Sequence, residues 1–158
     1  MSFSSNFDLE SDHARALKAV EREMNLIGLL IVRDAAQILR EGKKNYEGDV
    51  KKSLTHEVKR FFDEMLILIV GAGANHAKYL HFGTRPHWPP PEPIREWVRK
   101  KLAVDPLEVK SVAFLIARKI SIKGTKPFPF LDNALKKHQS NFARRVESAY
   151  ISEFKRSS

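Results

Sequence analysis

Apolar residues recur at steps of three and four from Leu17 through Val20, Met24, Ile27, Ile31 and Ile38, the period of one face of an α-helix. Asp8 or Ser11 is suited to cap the start and Gly42 to end it, so the spacing predicts one long helix over residues 8–42. In its middle, Leu26, Ile27, Leu29, Leu30, Ile31 and Val32 cover more than one face, with Gly28 as the only break. A helix apolar all round at that point is expected to be buried all round. The cover is either the core of the same chain or a neighbouring subunit, and the second view makes Leu26, Leu29 and Leu30 candidate interface positions.

A polar connection, Tyr46 to Leu54, leads into a hairpin region over 50–74, with one strand around Leu54–Phe61, a turn at Asp63 and Glu64, and a second strand from Met65 to Val70. The run MLILIV is continuous, which predicts a strand that lies centrally or is covered on both faces. Asn75–Phe82 has room for about two helical turns. Then Gly83 and the prolines at 86, 89, 90, 91 and 93 impose a stiff, extended arm over 83–93. Trp88 and Trp97 flank it; Trp88 either stacks on the proline rings or anchors a protruding arm against a neighbour.

Helical spacing resumes from Glu92 to about Leu102 and from Pro106 to about Ile120. A last helix over 130–155 shows an apolar stripe of Leu131, Leu135, His138, Phe142, Val146, Ala149 and Tyr150. Lys136, Lys137, Arg144 and Arg145 lie off that stripe, predicting a basic outer face that meets DNA or an acidic neighbour. The pattern as a whole reads as α+β in a single domain over 1–158: a long N-terminal helix packed on a small, mainly antiparallel sheet, with additional helices in the second half.

With 158 residues the chain can bury a core unaided, and the absence of cysteine excludes disulfides, thiolate zinc sites and thiol nucleophiles. The first residues lack the basic patch and apolar run of a secretory signal, and the apolar runs fall far short of the ~20 residues that span a bilayer, so no membrane partner is expected. A formal charge of +9 favours a polyanion or an acidic protein surface as a partner.

No pattern nominates a catalytic group, and the reading is of a protein that is not an enzyme. MLILIV followed by GAGANHA imitates the opening of a dinucleotide-binding fold, but His76 stands where close helix packing needs Gly or Ala, and prolines occupy the place of the crossover. Gly71 and Gly73 then read as glycines at a sharp turn after a strand. The six histidines, His13, His56, His76, His81, His87 and His138, lack metal-motif spacing, though 76, 81 and 87 have the Gly83 turn in common. Asp34, Glu57, Asp63 and Glu64 read as solvated or turn carboxylates. No cofactor or metal is implied.

Two blocks carry a resemblance. Tyr79, Phe82, Gly83, Thr84, Arg85 and Pro86 form a Tyr-x-x-Phe-Gly-Thr-Arg-Pro block, and Gly124, Thr125, Pro127, Pro129, Phe130 and Leu131 form a later Gly-Thr and Pro-x-Pro-Phe-Leu block. Gly48, Asp49, Ser53 and Leu54 make a weaker block ahead of the hairpin. In this order they resemble the phage tail-component family called gene-product-ten-like, over about Asp8 to Leu135. The chain departs from that pattern at His81, where the family usually has an acid, and at Asp132 and Asn133, where it usually has Arg-Pro.

The resemblance implies a structural component of a tailed-bacteriophage virion, a tail-completion or neck protein acting in head-tail joining as a homo-oligomeric ring. Its implied partners are other neck and tail proteins (terminator, tube or head-closure proteins) and DNA in the channel. Its implied place is the virion's tail or neck, and the host cytoplasm during assembly. The rival expectation, from charge alone, is a basic nucleic-acid-binding accessory protein.

Overall fold

The computed structural model describes residues 9–42, 48–62 and 65–155. The turn expected at Asp63 and Glu64, and the cap expected from Asp8, lie outside these. The chain is α+β: α1 (Leu9–Gly42), a single turn α2 (Asp49–Lys52), strands β1 (Leu54–Phe61) and β2 (Met65–Ala72), then α3 (Ala77–Phe82), α4 (Pro91–Lys101), α5 (Val109–Lys123) and α6 (Phe130–Lys155).

The predicted long helix is the centre of the molecule. α6 and the antiparallel β1–β2 hairpin both pack on α1, whose Ile27, Ile31, Ala35 and Leu39 are buried together with Val50, Leu80, Phe130 and Ala134. Gly28 has a specific role in this contact. A Cβ placed there would lie 2.4 Å from the His56 ring and 3.0 Å from Leu68, so the bare backbone is what lets the hairpin approach the helix.

The expectation that the middle of α1 is buried all round is corrected. Leu26 and Leu29 are 52% and 54% exposed and Leu30 is half-buried, because the hairpin and α6 cover only the Ile27 and Ile31 side. The second strand is likewise not covered on both faces. Leu66, Leu68 and Val70 turn toward α1, whereas Met65, Ile67 and Ile69 are 38–48% exposed on the other face of a two-stranded sheet. Continuity of apolar residues in β2 thus reports two apolar faces, one of them open to solvent.

Ser53 explains the weaker block ahead of the hairpin. Its hydroxyl donates to the Val50 carbonyl at 2.9 Å and accepts from the Ala74 N–H at 3.0 Å, locking the α2 turn to the end of β2. The polar connection therefore includes one helical turn. Gly71 and Gly73 need no glycine conformation: neither has a positive φ, and neither is crowded by backbone in the way a phosphate-binding turn requires.

α4 and α5 form a second, smaller cluster around Val98, Val109 and Ala113, with Trp97 packed against it. α5 starts at Val109 and not at Pro106, because Asp105 captures the intervening backbone: its carboxylate accepts from Leu107 N–H at 2.8 Å and its carbonyl from Glu108 N–H at 2.9 Å. Trp88 has an aromatic partner. It sits edge-on against Phe114 of α5 at 5.8 Å between ring centroids, and remains more than half exposed.

Candidate functional site

α3 and α5 each end in a glycine followed by a threonine, Gly83-Thr84 and Gly124-Thr125, and the two pairs meet. Thr84 and Thr125 form an antiparallel bridge in which each N–H donates to the other's carbonyl at 3.2 Å. The Thr125 N–H and hydroxyl also donate to the Thr84 hydroxyl, both at 3.1 Å. Three residues beyond Thr125, the Phe128 N–H donates to the Leu80 carbonyl at 2.9 Å, extending the junction.

The glycines make this clasp reciprocal. Gly83 (φ 71, ψ −173) and Gly124 (φ 66, ψ −160) both occupy a region open essentially to glycine alone. A Cβ on Gly83 would lie 2.4 Å from the Thr125 carbonyl oxygen, and one on Gly124 would lie 1.9 Å from the Thr84 carbonyl oxygen. Each glycine is required by the hydrogen-bonding partner of the other. Two sequence blocks some forty residues apart are therefore one structural unit.

The remaining motif residues divide between core and surface. Phe130 is fully buried and Leu131 packs against the main core, as Pro127 and Pro129 deliver them to the head of α6. Tyr79, Phe82, Arg85 and Pro86 are exposed. The two departures from the resembled pattern face each other: His81 Nε2 lies 3.3 Å from Asp132 Oδ1. His81 is 6% exposed and edge-on to Phe130 at 5.3 Å, and its Nδ1 is buried without a hydrogen-bond partner among the described residues. His87 lines the same cleft as Gly83, and His81 lies against Phe82. His76 is exposed, His87 donates from Nδ1 to the Arg85 carbonyl at 2.9 Å, and among the described residues no group of three His, Asp or Glu is placed to hold a metal.

Beside the clasp opens a cleft of about 630 Å³, bounded by Tyr79, Thr84, Arg85, His87, Thr125 and Lys126, with no carboxylate among the described residues of its lining. Lys78 Nζ lies 4.9 Å from the centre of the Tyr79 ring. A second opening, an apolar groove of about 1000 Å³, runs between β2 and α6 over Leu17, Val20 and Met24.

Asp34 is not the solvated carboxylate that its charged neighbours suggested. It is 8% exposed and accepts from His138 Nε2 at 3.0 Å and from Arg33 at 3.1 and 3.2 Å, joining α1 to α6. Burial pushes its pKa up, but the bonds from His138 and Arg33 and the nearby charges of Arg33 and Lys137 outweigh it, so the carboxyl is held below the usual aspartate value. His138, placed by its spacing on the apolar stripe, is the polar partner that this pair needs.

The basic face of α6 is narrower than its sequence implies. Lys136 and Lys137 are exposed and Arg144 is bonded to Asn141, but Arg145 turns back to Glu23 of α1 at 2.5 Å. No family model, no curated protein and no solved structure matches the chain.

Proposed function

We propose that the protein is a structural component of a tailed-phage particle, a tail-completion or neck protein that repeats around the tail axis, and that it acts by assembly and not by catalysis. The observation that carries this reading is the clasp. The residues that resemble the tail-component family in two separate blocks serve each other reciprocally through backbone geometry, as parts of a scaffold do.

The exposed apolar surfaces support it further. A ring around an axis needs one patch to meet a different patch on the next copy. Leu26 and Leu29 on α1, the outer face of β2 and Phe114 with Trp88 are separate apolar surfaces of this kind. Deletion of the gene from its phage, with lysates viewed by electron microscopy, tests the reading. Unjoined heads and tails or abnormal tail ends are expected; a lysate of normal, infectious particles that lack the chain by mass spectrometry overturns it.

A further inference from the structure

Residues 65–91 and 109–131 contain seven Lys and Arg and not one Asp or Glu. They hold most of the chain's formal +9, and the clasp joins them. All seven, Lys78, Arg85, Lys110, Arg118, Lys119, Lys123 and Lys126, are exposed, and among the described residues none of them is ion-paired. On α1 and α6, by comparison, Arg15, Arg22, Arg33 and Arg145 have carboxylate partners, while Lys136, Lys137 and Arg144 are in no ion pair among the described residues. Of the acids that border the two stretches, Asp132 lies against His81 and Glu92 is paired with Arg95.

A structural reason for part of this charge exists. α3 and α5 end at the clasp, and a helix C-terminus carries about half a negative elementary charge, which cations in the last turn offset. Two such ends account for about one positive charge. Five cations surround them: Lys78 on α3, Lys119 and Lys123 one turn apart on α5, and Arg85 and Lys126 immediately beyond the two threonines. The excess is large, and it borders a cleft that offers threonine hydroxyls and, among the described residues, no carboxylate.

We infer that the surface around the Thr84–Thr125 clasp, centred on Arg85, Lys119, Lys123 and Lys126, binds the phosphodiester backbone of DNA. Phosphate contacts are made by Lys, Arg and Ser or Thr hydroxyls, the residue types gathered here. An acidic protein partner fits less well: the charge is of one sign and mostly Lys, a residue depleted at protein interfaces. The inference is independent of the assembly role, which stands on particle morphology whether or not the purified chain binds DNA.

The test is fluorescence anisotropy of a labelled, mixed-sequence DNA duplex with the full chain over a range of salt. Five phosphate contacts give a slope of about −4.5 in log K against log salt, so a fourfold rise in salt weakens binding on the order of 500-fold. Replacing Arg85, Lys119, Lys123 and Lys126 with Gln should flatten the slope to about −1. Replacing Lys136, Lys137 and Arg144 with Gln on α6 should leave affinity nearly unchanged. Lys119→Arg, Lys123→Arg and Lys126→Arg together should retain binding, which separates lost charge from lost fold. Equal losses in the clasp and α6 variants, no binding at low salt, or displacement of DNA by polyglutamate at equal charge would each overturn the assignment, the last in favour of an acidic protein.

Discussion

Gly124→Ala should be far more destabilising than its one added methyl suggests, and the structure sets the size of the effect. At φ 66 and ψ −160 an L side chain is strained by about 1–3 kcal/mol. Its Cβ would also stand 1.9 Å from the Thr84 carbonyl oxygen, a backbone atom that cannot swing aside as a side chain would. The bridge must open, and its two backbone hydrogen bonds are worth about 0.5–1.5 kcal/mol each. Against this, Gly→Ala lowers the entropy of the unfolded chain by about 0.4–1 kcal/mol. The net loss is about 1–6 kcal/mol for Gly124→Ala, and somewhat less for Gly83→Ala, whose nearest backbone contact is 2.4 Å.

Because both substitutions open the same bridge, its hydrogen bonds can be lost only once. A double-mutant cycle measured by guanidinium denaturation should therefore show the pair losing about 1–3 kcal/mol less than the sum of the singles. Gly48→Ala and Gly71→Ala, where a Cβ meets nothing within 4 Å, are the controls and should stay within ~0.5 kcal/mol of the parent. Clasp variants as stable as these controls, or fully additive losses, would refute the reciprocal clasp.

Asp34→Asn should cost about 1–3 kcal/mol at neutral pH by weakening the charge-assisted bonds from His138 and Arg33. The pKa of Asp34 is lowered in the fold, so its contribution is fully present above the unfolded value of about 3.9 and is lost as pH falls through the lower folded value. Denaturation curves of parent and variant should thus converge in acid; a gap that stays constant down to low pH would remove Asp34 as its source. Gly28→Ala should destabilise, although helix propensity alone favours Ala by about 1 kcal/mol. The cost of pushing His56 and Leu68 off α1 is about 1–3 kcal/mol, and a stabilised variant by thermal unfolding would mean the hairpin yields freely.

The elements themselves were legible because period and punctuation agree. The 3.6-residue stripe of α1 ends at Gly42, the strands fall at Leu54–Phe61 and Met65–Ala72, and α6 starts at Phe130 behind two prolines, all as the local pattern dictates. What periodicity cannot report is how much cover is at hand. Leu26, Leu29 and the Met65, Ile67, Ile69 row are as apolar as their buried neighbours, yet one hairpin and one helix shield only one side of α1 and one face of the sheet. Polar pairs across the fold are hidden in the same way. His138 sits on an apolar stripe because Asp34, 104 residues earlier, is there to receive it.

Charge shows the limit most clearly. Counting cations along α6 points to a basic helix, but a charge acts outward only if no opposite charge lies within about a Debye length, ~8 Å at physiological salt. Arg145 is matched by Glu23 from the far end of the chain, and Arg22 by Glu153, so α1 and α6 largely neutralise each other where they pack. The acid-free stretches at 65–91 and 109–131 are visible in the sequence as runs without Asp or Glu, yet nothing local says that they belong together. The two glycines supply that link, since they permit the backbone approach that joins α3 to α5. The clasp thus has two consequences from one geometry: it fastens the α4–α5 cluster to the α3 side of the main core, and it brings unpaired cations from separate stretches to the same surface. A variant that opens the clasp should then lose DNA affinity together with stability, whereas the Gln variants at Arg85, Lys119, Lys123 and Lys126 should lose affinity alone.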